Sequence, residues 1–307
     1  MYQLLDPKLD IVFKKIFGDE DNKDITINFL NAVIQDPDPI KSVEFVNTEI
    51  PGESVTDKNT RLDIRAVTDK NEHIDIEIQI LNSDDMIKRS LFYWSKTYSE
   101  QLKKGHSYFE LNRTICINVL NYTLDEIQET NFHNCYKLFN RVTNNLLTDA
   151  LEIHFIEIPK YKITEDTLNK KDIDMWAEFL KSPNSPNLYD YKDKNSNIDR
   201  AKLKLEYLSA RDHEQFLAEK REESLREKAS KEKYALHKAK LEGQAQGLEQ
   251  GKALGLEQGK ALGLEQGLEQ GLEQGKAQRD SELKNRLAEL IQSGKSLDDI
   301  SKELFDK

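Results

Sequence analysis

Two cysteines and two tryptophans in 307 residues, and no long apolar run, exclude several protein classes at once. Cys116 and Cys135 form no CxxC pair and have no histidine at metal-ligand spacing, so neither a disulfide framework nor a zinc site is expected, and both are read as reduced thiols. No stretch approaches the ~20 apolar residues that a membrane-spanning helix needs. The opening MYQLLDPKLDIVFKK meets charge too early for a secretory leader, so the expected location is cytoplasmic. Excess positive charge is also lacking: 45 Lys and Arg stand against 56 Asp and Glu, a net charge of -11. That balance excludes coating nucleic acid by bulk attraction, which needs many cations against phosphates. It leaves room for an enzyme that binds DNA locally, because a cation bound by clustered carboxylates reverses the local sign.

What is present divides along the chain. An apolar content of 37% supports one sizeable core, and 33% charge leaves an extended, solvated remainder. Leu9, Val12, Phe13, Ile16 and Phe17 recur at helical spacing and stop at Gly18. A second helix is predicted near 24–35. KSVEFVNTEI, RLDIRAV and HIDIEIQIL then read as three strands separated by turn-forming residues. Residues 83–104 return to helical character, with Met86, Ile87, Ser90, Leu91, Trp94, Tyr98 and Leu102 on an apolar face and Gly105 as terminator. TICINVL is apolar on both faces, as a covered central strand should be, and CYKLFNRV and LEIHFIEI follow as strands. The expected fold is α/β, a mixed sheet flanked by helices over residues 1–160, with an extended α-helical C-terminal region.

That region is expected to comprise a helical extension over 161–240, a repeat over 241–277 and a helical hairpin over 278–307. In the repeat, glycine recurs every fourth residue from Gly243 to Gly275 in GLEQ and GKAL units. Each glycine costs a helix interior about 1 kcal/mol relative to alanine, so an isolated stable helix is not expected there. Two readings stand: a linker or marginal helix, or a close-packing face through which the chain forms a homo-oligomer. In the last segment Leu283, Leu287, Leu290 and Ile291 make an apolar stripe and Ser296 starts a second helix, a hairpin read as a packing or dimerisation module.

The chemistry sits in the first hairpin. Strand alternation puts Arg61, Asp63 and Arg65 on one face of RLDIRAV, and Asp75, Glu77 and Gln79 on one face of HIDIEIQI. A turn over 68–72 sets Val67 against His73, and the same register sets Asp63 opposite Glu77. Carboxylates so close repel unless a cation lies between them, and Mg²⁺ takes oxygen ligands of this kind, here joined by a backbone carbonyl such as that of Ile78. The plainer alternative is the solvated face of a half-buried sheet.

A set of motifs favours the metal site. Asp10, Phe13, Lys14, Phe17 and Gly18 (DxxFKxxFG), RLDI at 61–64, IEIQ at 76–79, Arg89 with Tyr93, and Gln101, Leu102, Gly105 and Tyr108 together resemble the recombination-promoting nuclease/transposase family of the PD-(D/E)xK nuclease superfamily. The resemblance covers residues 4 to about 160 and extends more weakly beyond; the glycine repeat and terminal hairpin are also familiar in that family. It implies a restriction-endonuclease-like fold and DNA cleavage dependent on Mg²⁺ or Mn²⁺, with Asp63 and Glu77 as metal-binding acids. Gln79 stands where the superfamily usually has lysine, and an amide orients water or phosphate without supplying charge. Lys58 and Arg61 are candidates for that charge. Asp10 is a candidate third acid, with Glu20 as its competitor, and Lys14, Arg89 and Gln101 are candidate phosphate contacts. The competing function is a DNA-associated scaffold that keeps the fold, hydrolyses nothing and oligomerises through its tail.

Overall fold

The computed structural model describes residues 3–47, 49, 50, 60, 61, 63–82, 84–163, 170–190, 195–294, 296, 300 and 301. The chain forms two compact units, residues 1–229 and 230–307.

The first unit is built on a six-stranded mixed sheet in the order β1-β4-β5-β6-β8-β7. These strands are β1 (Val43–Phe45), β4 (Ile64–Thr68), β5 (His73–Gln79), β6 (Thr114–Leu120), β7 (His133–Phe139) and β8 (Leu146–Glu157); β2 (Glu49–Ile50) and β3 (Thr60–Arg61) pair separately. β5, β6 and β8 run parallel, while β1–β4, β4–β5 and β7–β8 are antiparallel. The β4–β5 register is the expected one, with Val67 opposite His73 and Ile64 opposite Ile76. The turn closes by a Thr68 N–H bond to the Glu72 carbonyl at 2.9 Å, with Asn71 at φ 60°.

The alternation that defines β5 sorts its two faces. Ile74, Ile76 and Ile78 join Ile115, Ile117 and Val119 of β6 under α1 (Asp10–Phe17), α2 (Lys23–Ile34), α4 (Asp172–Lys181) and α6 (Ser196–Ser209). The other face carries α3 (Met86–Glu100), where Met86 packs with Cys116, Leu120, Ile153 and Phe155. The sheet is thus covered on both sides in a restriction-endonuclease-like α/β arrangement, and β6 is buried along its whole length.

Three expectations change. The core does not stop at residue 160: Trp176 and Phe179 of α4 are fully buried, and Trp176 meets Phe17 at 5.3 Å and Phe29 at 5.8 Å between ring centroids. Polar flanks hide this in the sequence, because the buried apolar residues of α4 are confined to Ile173–Leu180 between charged segments. On α3, Leu91 and Phe92 are exposed and the fully buried positions are Met86, Ser90 and Thr97, so its inward face is narrower and more polar than expected. α3 also ends at Glu100, before Gly105, whose φ of +93° serves the following loop. Gly18 does end α1, though with an ordinary φ of -107°; glycine is needed because a Cβ there would lie 2.9 Å from the Lys14 carbonyl oxygen.

After the short α5 (Asn187–Asp190), α7 runs from Asp212 to Gln292. All nine repeat glycines lie within it, none with positive φ, so of the linker and the marginal helix expected there the segment takes the helical form. Leu, Glu, Gln, Lys and Ala between the glycines are good helix formers, which keeps the remaining positions from adding much to the cost of the glycines themselves. Among the described residues, a methyl group on any of the nine would meet nothing within 4 Å beyond its own stretch of helix, so no close packing there requires these glycines. Leu283, Leu287 and Ile291 are exposed, and Gly294 turns the chain at φ +73°. Of the expected last helix, Ile300 and Ser301 are helical, and 297–299 and 302–307 lie outside the described residues.

Candidate functional site

Asp63 immediately precedes β4, and its partner Glu77 stands near the end of β5. Two bonds brace them. The Asp63 N–H donates to Glu77 Oε1 at 3.2 Å, and the Ile78 N–H donates to Asp63 Oδ2 at 2.9 Å. Each carboxylate is therefore held by the backbone of the other's strand, and the hairpin register fixes both in one site. Glu77 is 4% exposed. Gln79 Nε2 donates to Glu77 Oε2 at 3.1 Å, so the residue in the usual lysine position orients an acid.

The electrostatics follow from this crowding. Burial, then the charge of Asp63, push Glu77 up to about 8, against the Gln79 bond and the charge of Arg89. Burial raises Asp63 above the ordinary range as well, while the Ile78 N–H and Lys14 pull it down. Two buried acids that hinder each other's ionisation fit a divalent cation, which cancels both charges at once. The oxygen-only donor set suits a hard ion such as Mg²⁺ or Mn²⁺.

α1 brings a cation to Asp63. Lys14 Nζ lies 3.3 Å from Asp63 Oδ1. Arg89 of α3 sits by Glu77, with its guanidinium on the Tyr93 hydroxyl at 3.0 Å. Asp10 shares a cavity of about 150 Å³ with Asp63, Ile78 and Gln79, but both of its carboxylate oxygens are taken by Arg221 of α7, at 2.8 and 2.7 Å. Arg221 and Lys228 line the same cavity, and no motif signalled them, because they lie more than two hundred residues from Asp10 in the chain.

Other candidates are placed elsewhere. Gln101 donates to the Asn112 carbonyl and Thr114 Oγ1 and accepts from the Asn112 N–H, clamping the loop before β6. Glu20 pairs with Lys23 on the surface. Arg61 contributes its backbone to β3, and Lys58 lies outside the described residues. Asp75, one step from Glu77 on the same face, is structural: it is pushed up to about 6 by burial, accepts from Thr97 Oγ1 at 2.5 Å and faces Arg65 at 3.4 Å. Arg113 belongs to a buried ion-pair network with Asp36, Glu72 and Glu152. The absence of histidine at ligand spacing from the cysteines is a statement about sequence alone, since Cys135 stands directly opposite His154 across β7–β8.

No curated protein and no solved structure matches the chain. Residues 7–235, well over half of its length, match the family described as PD-(D/E)XK nuclease family transposase. The match spans the sheet, both helical layers and the start of α7 that lines the cavity of Asp63. The fold, the braced acid pair and this match agree, and the chain belongs to the PD-(D/E)XK nuclease family of transposases.

Proposed function

We propose that this protein is a metal-dependent DNA endonuclease in which Asp63 and Glu77 hold one Mg²⁺ or Mn²⁺. The supporting observation is the pair of buried carboxylates braced across one hairpin beside a lysine. When bound, such an ion polarises the phosphate and lowers the pKa of a coordinated water. The chain's own residues do the rest. Gln79 keeps Glu77 oriented through its amide. Lys14 places a fixed positive charge where negative charge develops on the phosphate, the part normally played by the lysine after the second acid. Arg221, held by Asp10, and Lys228 line the wall along which flanking phosphates would pass. In the overall reaction a water oxygen bonds to phosphorus, one P–O ester bond breaks, and the departing oxygen gains a proton.

Supercoiled plasmid incubated with the protein, with and without Mg²⁺, tests this. Nicking is expected only with the metal, falling to background in Asp63→Ala and in Glu77→Ala. Nicking that survives both substitutions would reject the site, and a wild-type protein that binds plasmid without nicking it would favour a scaffold role for the same fold.

A further inference from the structure

On the sheet face opposite Glu77, the last two strands collect a second set of ligating side chains. Across β7–β8, Cys135 pairs with His154 and Lys137 with Glu152, so strand alternation places His133, Cys135, Lys137, Glu152 and His154 on one face. Ligand atoms of Cys135, Glu152 and His154 all lie within 4.8 Å of one another. His154 Nε2 is 2.8 Å from Glu152 Oε1, and the Cys135 thiol is 3.6 Å from the same oxygen. Glu152 and His154 are both buried, while a cavity of about 470 Å³ lies open above them.

We propose that Cys135, Glu152 and His154 form a second metal centre, selective for a thiophilic ion such as Zn²⁺, with a fourth position open to the cavity. Thiolate and imidazole ligands select Zn²⁺ over Mg²⁺, and three protein ligands with a fourth position left to water or substrate is the arrangement of zinc sites that are not purely structural.

The surroundings fit an ion. His133 Nε2 lies 2.9 Å from His154 Nδ1, so a metal on His154 Nε2 leaves Nδ1–H to donate to His133, the kind of outer contact that orients a ligating imidazole. The other Glu152 oxygen is fixed by Arg113 and by Lys137 at 3.0 Å, which aims Oε1 toward the cysteine and histidine. Charge also balances. Glu152, Glu72 and Asp36 against Arg113 and Lys137 leave one negative charge, and a divalent ion with a thiolate brings the cluster to neutrality.

Titration of the full-length protein with Co²⁺, followed by absorbance, reads the site without reference to DNA cleavage. One equivalent should give a thiolate-to-cobalt charge-transfer band, displaced by Zn²⁺ and unaffected by excess Mg²⁺. Cys135→Ser, at a side chain that leaves the buried core intact, should abolish the band while circular dichroism stays unchanged. His133→Ala should keep the band but weaken Co²⁺ binding by ~10–100-fold. Asp63→Ala and Glu77→Ala should leave it untouched, so failure of the nuclease reading and failure of this one are separable. No band in the wild type, or a band that survives Cys135→Ser, would overturn the proposal.

Discussion

Replacing Glu77 with glutamine should abolish cleavage and yet stabilise the metal-free protein, increasingly so as pH rises. Burial and the Asp63 charge raise the Glu77 carboxyl from its ordinary 4.5 to about 8 in the fold. A raised folded-state pKa means that the native state holds its proton more tightly than the unfolded chain does. Stability contributed by the neutral carboxyl is therefore complete below about 4.5 and is lost as pH climbs through about 8. At about 1.4 kcal/mol per pH unit the ceiling is ~5 kcal/mol. The repulsion is shared with Asp63, whose own carboxyl is raised, so roughly 2–3 kcal/mol is the expected loss at pH 9. Glutamine keeps the shape and one acceptor oxygen, but cannot accept from both the Asp63 N–H and Gln79, a deficit of about 1 kcal/mol. The net gain of ~1–2 kcal/mol corresponds to about 2–8 °C for a unit of this size. Thermal unfolding followed by circular dichroism in EDTA, at pH 5 and pH 9, measures it. The advantage of Glu77→Gln should be small or reversed at pH 5 and clear at pH 9, and Mg²⁺ should restore the wild type alone. An advantage independent of pH, or a variant less stable than wild type at pH 9, would refute the reasoning.

Lys14→Ala should lower cleavage by ~10²–10³-fold with little change in Mg²⁺ affinity, and Lys14→Arg should recover part of it, as single-turnover plasmid assays would show. Trp176→Ala should cost ~3–5 kcal/mol in urea unfolding, as expected for emptying the centre of an aromatic core and not for a change in a polar extension. A chain ending after residue 235 should retain both cooperative unfolding and Mg²⁺-dependent nicking, since the cavity-lining residues of α7 end at Lys228.

The parts of this protein governed by short-range rules were legible in the sequence. Strict alternation in HIDIEIQ and a short turn determine the register, and from the register alone Asp63 must meet Glu77. β6 is legible because an uninterrupted apolar run suits only a strand covered on both faces. What escaped depends on long-range docking. Lys14 is a candidate phosphate contact on sequence alone, but its place beside Asp63 depends on α1 crossing the end of the hairpin, and Arg221 reaches Asp10 only because α7 returns to the same edge. Trp176 belongs to the core although its flanks are charged, since burial of one helix face needs only a few apolar side chains. The Cys135–His154 pairing is invisible to any local spacing rule, being set by how β7 registers on β8. Summed propensity leaves the glycine repeat as a linker or a marginal helix, and the helix of the structure runs through it.

Manganese binding observed by electron paramagnetic resonance addresses the shared-ion site most directly, since free Mn²⁺ is visible and bound Mn²⁺ is largely silent. The wild type should take up one ion per chain at the carboxylate pair, with Zn²⁺ pre-bound to occupy the cysteine site. Asp63→Ala and Glu77→Ala should each remove that ion, and the double variant should lose no more than either alone. Uptake retained in both single variants, or losses that simply add in the double variant, would show that the two acids do not share a cation.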